Sequence, residues 1–296
     1  MNLLVFGSTG QVAQSLAGLS GDGLTVITLG RPDGDITDLS RIRSAIAEKK
    51  PDIVVNAAAY TAVDAAETDE DNAYLVNSTG TENLATACAE RDLPLIHFST
   101  DYVFDGSKDG AYSTQDPVAP LGAYGRSKEA GEAVLRKTHK KHVILRTAWV
   151  FSPYGKNFVK TMLTLGKSRD ELNVVEDQIG NPTYAPDIAK TTLAIAENLM
   201  QQPDNMSLYG TYHLTNSGDI SWFGFASEIF RQAETKMGFT CKVNPIPSSE
   251  FPTPAKRPAN SRLDGSALEA IHGIQRRHWS EALADCLFAL EPEFKS

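Results

Sequence analysis

A tyrosine and a lysine four residues apart, in the segment Tyr124-Gly-Arg-Ser-Lys128, are the residues whose types and spacing most clearly suit chemistry. On a helix, residues i and i+4 lie on one face, so the phenol and the ammonium would be neighbours. A phenol is a poor acid at neutral pH, and a fixed cation beside it lowers its pKa. Tyr124 could then exchange a proton with a carbonyl or hydroxyl oxygen. The alternative is an exposed pair on a solvated helix, so the pattern needs support from the rest of the chain.

A glycine-rich turn near the N-terminus gives the first support. The apolar residues 3–6 lead directly into Gly7-Ser-Thr-Gly10-Gln-Val-Ala13, and the pattern predicts a strand, a turn and a helix through Leu19. Backbone amides at such a helix start suit a pyrophosphate. Gly7 and Gly10 permit the tight turn and the close approach of phosphates, and Ala13 is small enough for helix–strand packing. The pattern favours dinucleotide binding over a plain turn.

The end of the second predicted strand, residues 24–29, bears on the choice of cofactor. NAD-selective proteins usually place a carboxylate there for the ribose 2′-hydroxyl. This sequence has Arg31 instead, and a guanidinium suits a phosphate. NADPH is therefore the predicted cofactor, with NADH still possible because Arg31 could be a solvated loop cation. Shortly after, Asp35 and Ile36 could hold the adenine, and Thr37 or Asp38 could cap the next helix.

Two further predicted strands end in residues that suit a site. Residues 53–55 run into Asn56 and the three alanines Ala57, Ala58 and Ala59, which leave room for a flat ligand. Residues 95–98 run into Ser99 and Thr100. The Thr100 hydroxyl could hydrogen-bond a substrate carbonyl while Tyr124 protonates it, although a threonine at a strand end is commonly only a local turn bond. Carboxyl ends of parallel strands meet at one edge, so these segments should converge.

The alternation of strands and helices predicts an α/β fold: a Rossmann-like doubly wound parallel sheet with a smaller α/β substrate-binding region toward the C-terminus. We expect residues 1–150 to form the NADP(H)-binding part, completed by parts of 172–215, and residues 151–296 to form mainly the interleaved substrate-binding part. Later helices are predicted over 71–91, 127–138, 157–167, 186–200, 221–237 and 278–290, and later strands over 143–145, 172–175 and 209–214.

Composition limits the classes of function. The net charge of −9 argues against a general nucleic-acid binder or an anionic-membrane binder. No secretory signal and no apolar run of membrane-spanning length is evident, so a cytoplasmic location is expected. The three cysteines are far apart and odd in number, which fits reduced thiols. The six histidines lack metal-ligand spacing, so no metal site is predicted.

Taken together, these motifs resemble the extended short-chain dehydrogenases, and among them the family of dTDP-4-dehydrorhamnose reductases. The segments that carry the resemblance are Gly7 to Ala13, Asn56 to Asp64, Ser99 to Gly106, Tyr124 to Lys128, Arg146 to Trp149, residues 157–158, residues 177–183 and residues 252–264. The resemblance covers essentially the whole chain. The glycine turn and the Tyr-x-x-x-Lys pattern indicate only the superfamily, whereas the segments containing Asp64, Asp101 and Arg257 are narrower.

The resemblance implies a catalytic set of Thr100, Tyr124 and Lys128, with Lys128 also holding the nicotinamide ribose. The cofactor-binding residues that it implies are Gly7, Thr9, Gly10, Gln11, Val12, Asp35, Ile36, Ala57, Ala58 and Ala59. The residues that it places around the sugar are Thr61, Val63, Asp101, Tyr102 and Trp149. The C-terminal residues that would close over the substrate are Arg257, Asn260, Ser261 and Arg262. The guanidinium groups of Arg257 and Arg262 also suit a pyrophosphate on chemical grounds.

The activity that the resemblance implies is reduction of the nucleotide sugar dTDP-4-dehydro-L-rhamnose at C4 by NADPH, with Tyr124 protonating the alkoxide. A redox-neutral epimerase or dehydratase of the superfamily remains open, because a dehydratase pairs an acid and a base after the threonine, where this chain has Asp101 and Tyr102. A regulatory subunit like that of methionine adenosyltransferase is also open, although the intact Thr100, Tyr124 and Lys128 favour an enzyme.

The quaternary structure is the last expectation. Some members of the family dimerise through magnesium held by glutamates. The matching positions here are Ser15 and Pro186, which carry no carboxylate. No bridging magnesium is therefore expected, and a monomer or weak homodimer is predicted.

Overall fold

The computed structural model describes residues 1–295. Its strands are β1 (Asn2–Phe6), β2 (Thr25–Leu29), β3 (Ile53–Asn56), β4 (Leu95–Thr100), β5 (His142–Thr147), β6 (Val150–Phe151), β7 (Glu171–Val175), β8 (Ile179–Gly180), β9 (Thr183–Tyr184), β10 (Gly210–His213), β11 (Ile220–Ser221), β12 (Lys242–Ile246) and β13 (Asn260–Ser261). Its α-helices are α1 (Gln11–Ala17), α2 (Leu39–Lys49), α3 (Glu70–Tyr74), α4 (Gly80–Ala89), α5 (Ala123–Thr138), α6 (Phe158–Gly166), α7 (Ala185–Gln201), α8 (Trp222–Met237), α9 (Ser266–His272) and α10 (Trp279–Phe294). A π-helical turn, Leu75–Thr79, joins α3 to α4.

The central feature is a six-stranded sheet in the order β10-β5-β4-β3-β1-β2, with every neighbouring pair parallel. The chain leaves β1 toward β2 on one side and returns to β3 on the other. The direction of winding therefore reverses between β1 and β3, and such a switch point opens a crevice at the carboxyl ends of the strands. The predicted Rossmann-like α/β fold is confirmed.

The sheet is covered on both faces because successive strand residues point to opposite sides. Leu3 and Val5 of β1 contribute to the apolar cluster that includes residues of α1 and α7. Leu4 and Phe6 contribute to the cluster on the other face, with residues of α2, α4 and α5. The near-continuous apolar runs in the sequence thus correspond to strands buried on both faces.

A separate apolar cluster lies beneath the C-terminal half and combines residues of α6, α8 and α10 with β7. In this part β7 pairs with β12, and β8 lies between β11 and β13. The helices begin where the sequence offers capping side chains: Asn157 accepts from the Lys160 amide (3.1 Å) and Ser221 from the Gly224 amide (3.0 Å). These helices and the strand at 172–175 agree with the prediction.

Some elements differ from the prediction. The strand β12 contains Pro245 and was not expected, but it lies at the edge of a two-stranded sheet, where a proline is tolerated. The helix α9 was also not expected. By contrast, the predicted strand at 209–214 corresponds to β10, which joins the main sheet although it follows the substrate-side helix α6 in the chain. The division at residue 150 stays a prediction. Within residues 1–295, no helix has the length and apolar character needed to cross a membrane.

Candidate active site

The turn after β1 is held close to the end of β3. The Gly7 amide donates to the Leu29 carbonyl (2.8 Å), and Gly7 has a φ of +113°. A Cβ added to Gly7 would lie 2.9 Å from the backbone of Ala57. Gly7 is therefore required both by its backbone conformation and by this contact. Gly10, which precedes α1, faces open space, so a ligand can approach the start of the helix.

Three residues of this turn have different surroundings. Thr9 is exposed, and its carbonyl accepts from the Gln14 side chain (2.7 Å). Val12 packs against the apolar cluster of the sheet. The Gln11 carboxamide is tied to the C-terminal half, because its Oε1 accepts from the Ser152 hydroxyl at 2.7 Å. Gln11 thus links α1 to the segment before α6, and its contact with a cofactor stays a prediction.

The residues predicted around the adenosine lie after β2. Arg31 is exposed and makes no hydrogen bond to any residue in the described range 1–295. The Asp35 carboxylate accepts from the Thr37 hydroxyl (2.7 Å) and amide (3.0 Å), which lowers the pKa of Asp35. The side chain of Ile36 is buried against Gly80. Asp38 caps α2 by accepting from the Ser40 amide (2.9 Å), as predicted.

The alanine segment lines the crevice beside the glycine turn. The Ala57 amide donates to the Phe6 carbonyl (2.8 Å), and the Ala58 amide donates to Asn56 Oδ1 (3.2 Å). Ala57, Ala58 and Ala59 are all half-buried. Their small side chains lie next to Gly7, and a role of this segment in holding a flat ligand stays a prediction.

Thr100 and Tyr124 meet at the carboxyl end of β4. The Thr100 hydroxyl donates to Asp101 Oδ1 (3.0 Å) and accepts from the Tyr102 amide (3.2 Å). Desolvation raises the pKa of Tyr124, and a hydrogen bond with Thr100 acts in the opposite direction. The Tyr102 and Tyr124 rings pack edge to face with centroids 5.5 Å apart. The structure thus brings the predicted threonine and tyrosine together.

The expected effect of Lys128 on Tyr124 is wrong for this structure. The Lys128 side chain is buried, and its Nζ donates to the Phe98 carbonyl (2.7 Å) and lies 3.3 Å from His97 Nε2. Its nearest partners are therefore on β4, and the pKa of Tyr124 is raised by burial. Desolvation also lowers the pKa of Lys128 to about 8, while the Glu132 carboxylate one turn away acts to raise it.

The helix α5 that carries both residues begins at Ala123 rather than at the predicted 127. The Ala123 amide donates to Glu67 Oε1 (2.8 Å), so a distant carboxylate satisfies an amide of the first turn. A Cβ on Gly125 would lie 2.2 Å from the Tyr102 carbonyl oxygen, and one on Gly131 would lie 2.1 Å from the Asn77 carbonyl oxygen. The glycines of α5 thus let it approach its neighbours closely, which fixes Tyr124 against the end of β4.

Several buried polar residues of the site were not predicted as site residues. Glu132 accepts from Arg146 Nε (2.9 Å) and Nη2 (2.6 Å), and it also pairs with Arg136 (2.8 Å). Burial acts to raise the pKa of Glu132, but the hydrogen bonds and charge of Arg146 hold it below its ordinary value. His97 and Asn56 form a second buried group with Lys128. The sequence alone does not identify these residues as part of the site, because Arg146 is distant in sequence from Glu132 and His97 is distant from both Asn56 and Lys128. Knowledge of which residues are neighbours in the fold would have been needed.

On the substrate side, Arg257 bridges the two halves of the chain. Its Nη1 donates to Tyr102 Oη (2.9 Å), and its Nη2 donates to Asp64 Oδ2 (2.7 Å). Desolvation raises the pKa of Tyr102, which remains a neutral phenol. Thr61 is exposed and Val63 is half-buried on the segment that leads to Asp64. This bridge places a guanidinium at the edge of the predicted sugar pocket.

A cavity of about 920 Å³ opens beside Tyr102 and Arg257. Trp149, at a φ of +47°, stacks on Trp222 with ring centroids 3.5 Å apart and an interplanar angle of 10°. This aromatic pair and Phe158 line one wall of the cavity. The volume suits a ligand larger than a single sugar.

The remaining C-terminal residues divide into two kinds. Ser261 lines the cavity, as Arg257 does. Asn260 Nδ2 donates to the Lys108 and Gly110 carbonyls, both at 2.7 Å, and Asn260 Oδ1 accepts from Arg262 Nε (2.8 Å). Asn260 and Arg262 therefore hold the C-terminal segment against the loop before α5. A direct contact of either with a substrate stays a prediction.

The structure also bears on metals. Among the described residues, His, Cys, Asp and Glu form no group of three or more that could hold a metal ion. Ser15 donates its hydroxyl to the Gln11 carbonyl (2.8 Å) within α1, and Pro186 lies in the first turn of α7. The expectation concerning magnesium stays a prediction.

A glycine turn after the first strand of a parallel sheet, with a Tyr-x-x-x-Lys pair beside β4, is the arrangement of the short-chain dehydrogenases and reductases. A family model described as the RmlD substrate binding domain matches residues 1–291. A dTDP-4-dehydrorhamnose reductase from Sinorhizobium fredii is 44% identical over 295 residues, which cover 100% of this chain and 99% of that protein.

Two solved structures agree with this match. The dTDP-4-dehydrorhamnose reductase of Clostridium acetobutylicum superimposes with a TM-score of 0.90 at 40% identity, covering 98% of this chain and 100% of that one. The enzyme of that name from Bacillus anthracis, in complex with NADP, gives a TM-score of 0.90 at 36% identity, covering 97% and 98%. The chain belongs to this family of dTDP-4-dehydrorhamnose reductases.

Proposed function

We propose that the protein reduces dTDP-4-dehydro-L-rhamnose at C4 to dTDP-L-rhamnose with hydride from NADPH. Membership of the family makes the chain an NADP-dependent oxidoreductase. The observation that carries the finer assignment is the position of Tyr124 and Thr100. They meet at the end of β4, and the adjacent Tyr102 lines the cavity of about 920 Å³. A proton donor thus lies between the cofactor crevice and a space large enough for a nucleotide sugar.

The reaction needs a proton at the oxygen that receives negative charge. Bound NADPH would supply the hydride, and the residues of this chain would orient the two ligands and provide that proton. The raised pKa of Tyr124 keeps its phenol protonated at neutral pH, as an acid requires. The Thr100 hydroxyl, which lies beside the phenol and donates to Asp101 Oδ1 in this structure, would turn its hydrogen toward the same substrate oxygen. Lys128 would hold the nicotinamide ribose.

The nucleotide diphosphate would lie on the other side of Tyr102. Arg257 presents a guanidinium there, and guanidinium groups bind phosphate oxygens bidentately. The stacked Trp149 and Trp222 offer an apolar wall next to it, which suits a deoxysugar or a base. The rim of the cavity is therefore charged where a diphosphate would lie and aromatic where rings would lie.

The test is the oxidation of NADPH by the purified protein with enzymatically prepared dTDP-4-dehydro-L-rhamnose. In the Tyr124→Phe variant, kcat should fall by about 10²-fold or more because the proton donor is lost, with the dissociation constant of NADPH nearly unchanged. Tyr102→Phe is the matched control, since it removes a nearby phenol that is not assigned the proton.

Several outcomes would contradict the proposal. Tight NADPH binding without oxidation would indicate a regulatory subunit. A product that retains the oxidation level of the substrate in a single turnover would indicate an epimerase or dehydratase. A Tyr124→Phe protein that keeps most of its kcat, with hydride transfer rate-limiting, would assign the proton to another donor.

The preference for NADPH is proposed to depend on Arg31. Arg31 is exposed directly after β2 and is without a hydrogen bond in the described part of the chain, so its guanidinium is available for a 2′-phosphate. Arg31→Asp should weaken NADPH more than NADH, because it removes a phosphate partner and adds repulsion. Arg31→Gln is the control that removes the charge alone. An unchanged ratio of the two specificity constants in Arg31→Asp would show that another group selects the cofactor.

A further inference from the structure

Three buried side chains form a line of hydrogen bonds from the cofactor crevice to the catalytic helix. Asn56 ends β3, His97 lies on β4 and Lys128 lies on α5. Asn56 Nδ2 is 3.0 Å from His97 Nδ1, and His97 Nε2 is 3.3 Å from Lys128 Nζ. At the outer ends, Asn56 Oδ1 accepts from the Ala58 amide (3.2 Å) and Lys128 donates to the Phe98 carbonyl (2.7 Å). All three side chains are buried.

The fixed donor at Ala58 determines how hydrogens are distributed along this line. A backbone amide can only donate, so Asn56 must turn its carbonyl toward Ala58 and its NH₂ toward His97. His97 Nδ1 is then an acceptor, and a neutral ring carries its hydrogen on Nε2, facing Lys128. An ammonium also can only donate. The Nε2–H would therefore face a donor unless the Lys128 nitrogen is a neutral amine that accepts.

A second arrangement fits a charged Lys128. The ammonium then donates to His97 Nε2, and the ring carries its hydrogen on Nδ1, which must be accepted by Asn56 Oδ1. The Asn56 amide has turned over, so the Ala58 amide loses this acceptor. Since Ala58 lies in the segment that lines the cofactor crevice, the charge of Lys128 changes which hydrogen bond is available there.

We propose that His97 is a positioning residue whose tautomer changes with the charge of Lys128. The change of tautomer reverses the Asn56 amide and so decides whether the Ala58 amide keeps its hydrogen-bond acceptor. The functional part of this inference rests on the role that the proposed function gives to Lys128. His97 itself stays neutral in both arrangements. Burial lowers the pKa of His97 well below its ordinary value, which agrees with a ring that changes tautomer rather than charge.

The other charged groups around this line leave Lys128 as the group that titrates. Glu132, one turn along α5, is held as a carboxylate by Arg146 of β5. His142, also on β5, has its pKa lowered by burial, and its Nδ1 donates to the His139 carbonyl. Tyr124, one turn before Lys128, stays protonated. The pKa of about 8 for Lys128 therefore sets the pH at which the tautomer of His97 should change.

The direct test is nitrogen NMR of the full-length protein labelled with ¹⁵N-histidine, with His97 assigned by its loss in His97→Gln. Between pH 6.5 and 9.5 the spectrum should pass from the Nδ1–H to the Nε2–H tautomer, with a midpoint near that of Lys128. Lys128→Met should abolish the change. One tautomer at all these pH values, or conversion of His97 to an imidazolium, would overturn the proposal.

Two variants separate a positioning role from a purely structural one. The amide of a glutamine overlays Nε2 of a histidine, whereas that of an asparagine overlays Nδ1. His97→Gln should therefore keep the contact with Lys128 and the wild-type midpoint of the pH profile of kcat, but its kcat should fall because the change at Lys128 no longer reaches Asn56. His97→Asn keeps only the contact with Asn56, and its kcat at neutral pH should fall about 10-fold with a displaced midpoint. Equal profiles for the two variants would contradict the proposal.

The failure of this inference is distinguishable from failure of the proposed function. If the wild-type protein does not oxidise NADPH with the keto-sugar, the proposed function fails, while the tautomer measurement still tests the coupling of His97 to Lys128. If the protein is active but His97 keeps one tautomer, only the inference fails. NADPH affinity and thermal unfolding of both His97 variants establish that they are folded.

Discussion

The buried carboxyl of Asp101 should make the protein less stable at neutral pH than it would be with asparagine in that place. Asp101 Oδ1 accepts from the Thr100 hydroxyl (3.0 Å), but Oδ2 is buried and accepts no hydrogen bond from any of the described residues 1–295. Burial raises the pKa of Asp101 from 3.8 to about 6, although the hydrogen bond from the Thr100 hydroxyl acts to lower it. The folded state thus prefers the protonated carboxyl.

The sign and size of the effect follow from that shift. Below pH 3.8 the carboxyl is protonated in the folded and the unfolded chain, so it imposes no ionisation cost. As pH rises through 6, the folded state must accept a buried carboxylate and stability is lost. A shift of about 2 units corresponds to about 3 kcal/mol. Asp101→Asn should therefore raise the free energy of unfolding by about that amount at pH 7.5, and the gain should vanish toward pH 4.

The assay is urea unfolding of both proteins at several pH values between 4 and 7.5. Asp116→Asn is a control of opposite sign, because Lys108 and Ser113 lower the pKa of the Asp116 carboxylate to about 2. That variant should be less stable than the wild type at neutral pH, with the difference shrinking in acid. A gain for Asp101→Asn that does not depend on pH, or a loss at pH 7.5, would refute the reasoning.

Two further substitutions test other contacts. Glu132→Gln leaves the buried charge of Arg146 without its carboxylate, and breaking such a pair should lower the free energy of unfolding by about 3–5 kcal/mol. Urea unfolding measures this free energy. A loss below about 1 kcal/mol would show that Arg146 finds another partner. Gly180→Ala places a Cβ 2.5 Å from the indole of Trp149. It should raise KM for the keto-sugar about 10-fold, a loss of about 1.4 kcal/mol, without changing NADPH affinity. Gly21→Ala is the comparison, because a Cβ there meets nothing closer than 3.9 Å. Equal KM values for the two variants would exclude this role of Trp149.

Local sequence signals predicted most of the elements that position the site. The turn at Gly7 follows an apolar strand and precedes a helix, and all three features are encoded within residues 2–17. The ends of β3 and β4 could be predicted for the same reason, because buried parallel strands are short apolar runs followed by small or polar residues. Convergence of these segments then follows from the general geometry of parallel sheets.

The direction of individual side chains could not be predicted in this way. The spacing of Tyr124 and Lys128 correctly gives one helix face, but it does not say which acceptor the ammonium reaches. In the fold, the Phe98 carbonyl at 2.7 Å is that acceptor. Likewise, Asn56 and His97 are 41 residues apart and become partners only because β3 and β4 are neighbours in the sheet. Such pairing depends on topology and register, which single-residue patterns do not contain.

The position of β10 has a consequence for how the molecule can move. The chain leaves the main sheet after β5, forms α6 and β7, and then returns through α7 to add β10 beside β5. The substrate-side elements are therefore anchored to the sheet at two points of the backbone, not at one. A rotation of that region must therefore bend both connections at once, about an axis that passes near the ends of β5 and β10, and cannot use one linker alone. Movement over the cavity beside Tyr102 is thus limited to rotation about that axis and to surface segments such as the one that carries Arg257.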